Sequence, residues 1–211
     1  MKRVVITGLG VISPLGNDVA SFWENSLKGI SGIGPITKFD ASKFKTQIAG
    51  EVKNFNPLDY FEKKEIRKYD LFTQYAVAAS EQAIQQSQLQ FDTMTEAQRS
   101  EIGVIWATGQ GGMQTFEDQL QEFFTGDGTP RFNPYFVPKM IVDIAAGVIS
   151  IRNGLLGPNY CTVSACASSA NALIDSKMLI QLGGIEINEC LNLVILIELY
   201  NSTVPKRFKL F

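Results

Sequence analysis

Three short apolar runs, Val4 to Ile6, Ile102 to Trp106 and Tyr160 to Val163, each lead through a turn of small residues into a segment with helical periodicity. A chain that alternates strands and helices in this way buries one face of each, and an α/β layered domain is the architecture that does so. The first run passes through Gly8-Leu9-Gly10 and Ser13-Pro14-Leu15-Gly16 to a helix expected over Asp18 to Leu27. Asn17 is its expected N-cap, Phe22, Trp23 and Leu27 its apolar side, and Gly29 its stop. The second passes through Thr108-Gly109-Gln110-Gly111-Gly112 to a helix over Met113 to Phe124. The third passes through Ser164-Ala165-Cys166 to a helix over Ala167 to Leu182, ended by Gly183-Gly184. Between them, residues 29–46 read as loop and Gln47 to Val52 as a short strand. Lys63 to Gln88 reads as one helical segment, with Ile66, Tyr69, Phe72, Tyr75, Ala76, Ala79 and Ala83 at helical spacing. Pro138 fits the first turn of a further helix reaching Ile151. No repeat, low-complexity tract or linker divides the chain.

Composition removes several function classes. The 19 basic and 21 acidic residues leave a net charge of -2, so no basic excess drives non-specific binding to nucleic acid. The best apolar run, Leu191 to Ile197, is far shorter than the ~18 residues of a membrane span and contains Asn192. The opening Met1 to Gly8 reads as a first strand rather than a signal peptide, because Gly8, Gly10 and Pro14 cut its apolar run. Three cysteines, an odd number, fit a reducing cytoplasm better than a disulfide framework. The sequence contains no histidine, which excludes Ser-His-Asp and Cys-His chemistry within these residues and removes the commonest metal ligand. No metal and no cofactor is expected. Gly8-Leu9-Gly10 is not a dinucleotide fingerprint, since the third glycine is missing and Pro14 interrupts the next segment.

The stretch that carries chemistry is Thr162-Val163-Ser164-Ala165-Cys166-Ala167-Ser168-Ser169-Ala170-Asn171-Ala172. Here a strand enters a tight turn, and a cysteine stands at the first turn of a long helix. Free amide N–H groups and the helix dipole favour negative charge at that place, and the thiolate is the nucleophilic form of cysteine. Small neighbours such as Ala165, Ala167 and Ser168 leave room for a thioester, and the Cys166 N–H is placed to face an oxyanion. On spacing alone this reading stands level with another, a small buried hydrophobe. Cys161, on a strand expected to be buried, fits the second description, and no CxxC pair makes a metal set.

The same stretch resembles the active-site signature of the beta-ketoacyl-acyl-carrier-protein synthases, especially the type II elongating form. Arg3-Val4-Val5-Ile6-Thr7-Gly8-Leu9-Gly10, Ser13-Pro14-Leu15-Gly16, Arg67-Lys68-Tyr69-Asp70 with Phe72 and Gln74-Tyr75-Ala76, Thr108-Gly109-Gln110-Gly111-Gly112 and Asn133-Pro134-Tyr135-Phe136-Val137-Pro138 are similar to further family segments, in order. The resemblance implies a thiolase-like fold, a mixed sheet with helices on both faces, of which residues 1–183 are the N-terminal half. It implies an acyltransferase in which Cys166 takes the acyl group from acyl carrier protein before decarboxylative condensation with the malonyl-carrier-protein. It places Gln110 at the border of the acyl pocket, where the family often has an apolar residue. It makes Tyr135 and Phe136 acyl-pocket residues too, on a segment reaching across a homodimer interface towards the partner's acyl pocket. It makes Lys63, Lys64, Arg67 and Lys68 a docking patch for the acidic carrier.

The resemblance fails after Leu182-Gly183. The family's second half supplies two histidines and a lysine for decarboxylation, and residues 184–211 diverge: Ile187-Asn188-Glu189-Cys190 reads as a remnant of family sequence and the tail from Leu191 as out of frame. The expectation is an absent C-terminal half and a divergent tail that reads as frameshifted. Apolar faces would lose their cover, and Leu193-Val194-Ile195-Leu196-Ile197 reads equally as a filler of a vacant strand position and as an aggregation hazard. A non-catalytic, carrier-binding half-synthase and a polyketide-type ketosynthase fragment are the alternatives.

Overall fold

The computed structural model describes residues 4–182 and the backbone of 195–196. The order is β1 (Leu9–Gly10), α1 (Val19–Leu27), β2 (Ile33–Pro35), β3 (Ile48–Gly50), α2 (Lys63–Ile66), α3 (Leu71–Ser87), α4 (Glu96–Ser100), β4 (Val104–Ala107), α5 (Met113–Thr125), α6 (Phe136–Met140), α7 (Ile144–Asn153), β5 (Asn159–Thr162), α8 (Ser168–Leu182) and β6 (Ile195–Leu196). Single 3-10 turns lie at Pro57–Asp59, Phe91–Thr93 and Ala165–Ala167. β4 pairs in parallel with β5, β1 in parallel with β6, and β2 antiparallel with β3.

The core forms where α3 and α7 meet β4. Val104 and Trp106, two residues apart, point into it, and Phe72, Ala76, Val77, Ala145, Ala146, Val148 and Ile149 close around them. Alanines at the crossing of α3 and α7 let the helices approach closely, and Ala76, Ala145 and Ala146 are fully buried. α8 also packs against β4 and β5, so helices cover the strand pair that leads to the cysteine turn.

The helical segment expected over Lys63 to Gln88 is broken in two. Asp70 causes the break: its Oδ1 accepts from the Phe72 N–H at 3.3 Å and so caps α3. Its Oδ2 accepts from the Thr115 N–H at 3.2 Å and from the Thr115 hydroxyl, tying α5 to the cap. The helix expected from Pro138 to Ile151 is likewise two, because Ile141 is extended and ends α6.

The first strand is displaced from the sequence expectation. Leu9 and Gly10, read as a turn, are β1, whereas Val5 and Ile6 are exposed and belong to no strand. Leu9 and Gly10 find ladder partners in Ile195 and Leu196, so part of the apolar run Leu193 to Ile197 does occupy a strand position. Helix α3 serves β1 as well: the Gln86 Oε1 accepts from the Leu9 N–H at 2.6 Å, and the Gln82 Oε1 from the Val11 N–H at 3.1 Å. Gly8 and Gly10 lie directly on the carbonyls of Ala83 and Ala79, one helical turn apart.

Other boundaries differ less. Asp18, not Asn17, caps α1, accepting from the Ser21 N–H at 2.8 Å. Trp23 and Leu27 stay exposed, and no residue of α1 is buried. Ile33 to Pro35, read as loop, is a strand because it pairs with Ile48 to Gly50. On α8, Ile174, Met178 and Leu182 recur every fourth residue and are exposed, while Ala172 and Ile180 are buried. The helix is therefore apolar on more than its covered side, as expected for a helix meant to be enclosed. The tail 184–211, with Cys190, lies outside the described residues apart from β6.

Tyr75 faces Phe55 edge-on at 4.8 Å, and burial, followed by the nearby Asp70 charge, pushes its phenol up to about 12. The folded state therefore holds this proton after the unfolded chain, with an ordinary tyrosine near 10, has lost it. Unfolded molecules bind fewer protons in that window, so stability is full below pH ~10 and falls as pH rises towards ~12. Chemical denaturation at intervals from pH 9 to 11.5, compared with Tyr75→Phe, should show a shallower alkaline loss in the variant. Parallel loss in both would rule Tyr75 out as the cause.

Candidate active site

The cysteine turn is built by β5 and α8. β5 runs parallel to β4, with Cys161 opposite Trp106 and Thr162 opposite Ala107. The chain then leaves the sheet at Val163 and turns through Ser164, and Ala165 adopts a left-handed conformation with φ of 49°. A non-glycine residue there is uncommon and costs free energy, so neighbouring contacts must hold it. The 3-10 turn Ala165–Ala167 comes next and runs straight into α8.

Cys166 sits on that turn, exposed. Among the described residues nothing buries it, unlike a small core hydrophobe. Its N–H makes no hydrogen bond to the described residues, whereas the Ala167 N–H donates to the Ser164 carbonyl at 3.0 Å. An exposed cysteine whose N–H has no partner among the described residues, at the head of a 15-residue helix, can attack a carbonyl carbon and receive the oxygen that becomes negative. Cys161, expected on a buried strand, is half-buried, and its Sγ contacts the Thr162 carbonyl oxygen at 3.5 Å.

Side chains around the turn are bonded to one another. The buried Ser168 Oγ accepts from the Ser164 N–H at 2.8 Å and reaches the Ala165 carbonyl at 2.7 Å. The Thr162 hydroxyl donates to the Ser168 carbonyl at 2.9 Å, and the Asn171 amide to the Ser164 hydroxyl at 2.6 Å. Sequence reasoning valued Ser168 only for its small size; no local signal marks Ala165 as left-handed.

Gln110 is exposed at the mouth of an open cleft of about 770 Å³, which Met113, Phe116, Met140, Val142 and Cys161 also line. The glycines beside it are required. Gly111 has φ of 70°, and a side chain on Gly112 would strike the Lys139 carbonyl at the end of α6. Tyr135 and Phe136 are not among the lining residues, but Phe136 stacks on the cleft's Phe116 with centroids 6.2 Å apart. Cys166 is not among them either. Lys63, Lys64 and Arg67 are exposed and Lys68 half-buried, and Lys64 pairs with Glu62 at 2.7 Å. Arg152 fastens this region to the body. It donates to the Tyr60 carbonyl at 2.8 Å and pairs with Glu81 at 2.7 Å, and its guanidinium carbon lies 4.8 Å from the Phe61 ring centroid. No helix among the described residues is long and apolar enough to cross a membrane.

Residues 1–187 match the family model described as beta-ketoacyl synthase, N-terminal domain. The 3-oxoacyl-[acyl-carrier-protein] synthase 2 of Staphylococcus aureus (strain COL) is 45% identical over 182 residues, 86% of this chain and 43% of that protein. Among solved structures, the ishigamide ketosynthase/chain length factor superposes with a TM-score of 0.73 at 25% identity, covering 86% of this chain and 44% of the other. A beta-ketoacyl synthase from Burkholderia phymatum STM815 gives 0.70 at 23% identity, covering 87% and 44%. The chain spans less than half the length of the curated relatives it matches.

Proposed function

Because the chain belongs to the beta-ketoacyl synthase family, with the thiolase-like fold of the ketosynthases, we propose that it serves fatty-acid elongation as a 3-oxoacyl-[acyl-carrier-protein] synthase does, accepting an acyl group on Cys166. The observation that carries this reading is the exposed Cys166 on a strained strand-to-helix turn, its N–H without a partner among the described residues. The thiolate attacks the thioester carbonyl, and the oxyanion forms beside the free N–H. Collapse expels the carrier's thiolate, which takes up a proton, and leaves a new thioester on Cys166. Decarboxylation of the malonyl thioester and attack of its carbanion complete the condensation. The resemblance assigns that step to histidines and a lysine, and these 211 residues contain no histidine. The second reading is a non-catalytic half-synthase that binds the carrier. The structural neighbours at 25% identity or below support the fold without distinguishing fatty-acid from polyketide synthesis.

In this proposal residues 1–183 are the synthase domain and 184–211 a divergent tail. The protein works in the cytoplasm and pairs as a homodimer through the Tyr135-Phe136 segment. Gln110 borders the acyl chain from the cleft it lines, and Lys63, Lys64, Arg67 and Lys68 receive the acidic carrier.

Incubation with an acyl-carrier-protein thioester, followed by peptide mass mapping, tests the reading. An acyl adduct on Cys166 is the expected result. Carrier binding with no adduct would favour the second reading. The docking assignment has its own test: Lys63→Glu with Arg67→Glu should raise the KM for acyl-carrier-protein about 10-fold at low salt and leave the maximal rate of acylation near that of the parent. The difference should shrink at high salt. An unchanged KM would remove the patch from the docking surface.

A further inference from the structure

We propose that Ser168 is the positioning residue of the cysteine turn, holding Ala165 in its left-handed conformation and thereby aiming the Cys166 thiol and N–H. The inference rests on the reading of Cys166 as nucleophile. A left-handed alanine does not persist without contacts that over-determine it. Here those contacts converge on one hydroxyl. Ser168 is 3% exposed, and its Oγ holds the strained residue and the one before it: it accepts from the Ser164 N–H at 2.8 Å and reaches the carbonyl of Ala165 itself at 2.7 Å. The Ala165 φ of 49° thus lies inside a loop that this side chain closes.

The hydroxyl also ties the turn to the neighbouring strand. Its single proton is within reach of a second oxygen, the Thr108 carbonyl, at 3.3 Å. The Thr108 hydroxyl accepts from the Gly111 N–H at 3.4 Å, in the loop that carries Gln110. The Ser168 carbonyl is itself held, by the Thr162 hydroxyl at 2.9 Å. Ser168 is therefore fixed from β5 and in turn fixes the segment between β5 and α8. Removing its oxygen leaves a half-buried N–H and carbonyl oxygens without that partner, and the nearest relief is a relaxation of Ala165 out of the left-handed region.

Ser168→Ala and Ser168→Thr in the whole chain separate positioning from simple stability. Two quantities are read: acyl transfer from an acyl-carrier-protein thioester to Cys166, and site-resolved amide hydrogen exchange. Ser168→Ala should lower the transfer rate at least about 10-fold, since small misplacements of a nucleophile have large kinetic effects. It should also speed exchange at Ala167, whose N–H bonds the Ser164 carbonyl, while protection along α8 stays at the parent level. Ser168→Thr, which keeps the hydroxyl, should transfer within about threefold of the parent. The inference is overturned if Ser168→Ala transfers like the parent, if threonine fails to rescue, or if α8 loses protection together with the turn. Should the parent chain accept no acyl group, the nucleophile reading fails by itself. The exchange measurement then still decides the clamp, and unchanged exchange at Ala167 in Ser168→Ala overturns it.

Discussion

Cys166→Ala should abolish acyl transfer, with the rate of acyl-enzyme formation falling by about 10³-fold or more, the scale seen when a nucleophile is deleted from an intact site. No other described cysteine is placed to replace it. Cys161 is half-buried in the cleft wall and engaged with its surroundings. Since Cys166 is exposed, deleting its sulfur opens no cavity, and stability should change by no more than about 0.5 kcal/mol. Loss of transfer with an unchanged melting curve would then belong to the chemistry. Cys166→Ser gives a finer test, because its hydroxyl stands in the same place but is far less nucleophilic without a general base. Serine should transfer nearly as poorly as alanine. If Cys166→Ala still acquires an acyl group at the parent rate, the assignment of the nucleophile is wrong.

Gly10→Ala should be the most destabilising single-methyl substitution considered for this fold, costing more than about 4 kcal/mol. A Cβ at residue 10 would fall inside the Ala79 carbonyl oxygen of α3, and at residue 8 inside that of Ala83. These obstacles are main-chain atoms of a helix bearing much of the core, so no side chain can swing aside. Relief requires β1 to lift from α3, which also breaks the hydrogen bonds from Leu9 and Val11 to Gln86 and Gln82. Gly34→Ala is the control, since a Cβ there meets nothing within 4 Å. Urea denaturation of the two variants should separate them clearly. Equal midpoints would show that the close approach of β1 to α3 does not limit stability.

The sequence made some of this legible for identifiable reasons. Helix α5 begins at Met113 as expected, because a glycine-rich turn precedes a strong apolar period, and Gly29 stops α1 with φ of 65°. Cys166 stands out because strand, small turn and helix are contiguous in the chain. What escaped depends on pairs far apart. Asp70 divides one helical pattern into two by capping α3 at the Phe72 N–H, and its other oxygen is held by Thr115, 45 residues away. Ile33 to Pro35 becomes a strand only beside Ile48 to Gly50, and its own sequence carries no alternating pattern. The rejection of a nucleotide loop at Gly8 and Gly10 agrees with the packing, which gives these glycines a different reason: contact with Ala79 and Ala83, residues that nothing in the local sequence connects to them. Ala165 was least legible, since its conformation is imposed by Ser168 rather than preferred by alanine.

The glutamines of α3 have a consequence for how this protein meets other polypeptides. Successive N–H groups of a strand alternate between its two edges, so Leu9 and Val11 point to the same one. Unclaimed donors on such an edge invite a foreign strand to add itself, the usual first step in β-aggregation and domain exchange. Here both are already bonded to side-chain amides of Gln86 and Gln82, and the Gln82 nitrogen is spent in turn on the Asn17 carbonyl at 2.8 Å. A helix thus imitates a neighbouring strand for these two donors, and neither is left to recruit another chain.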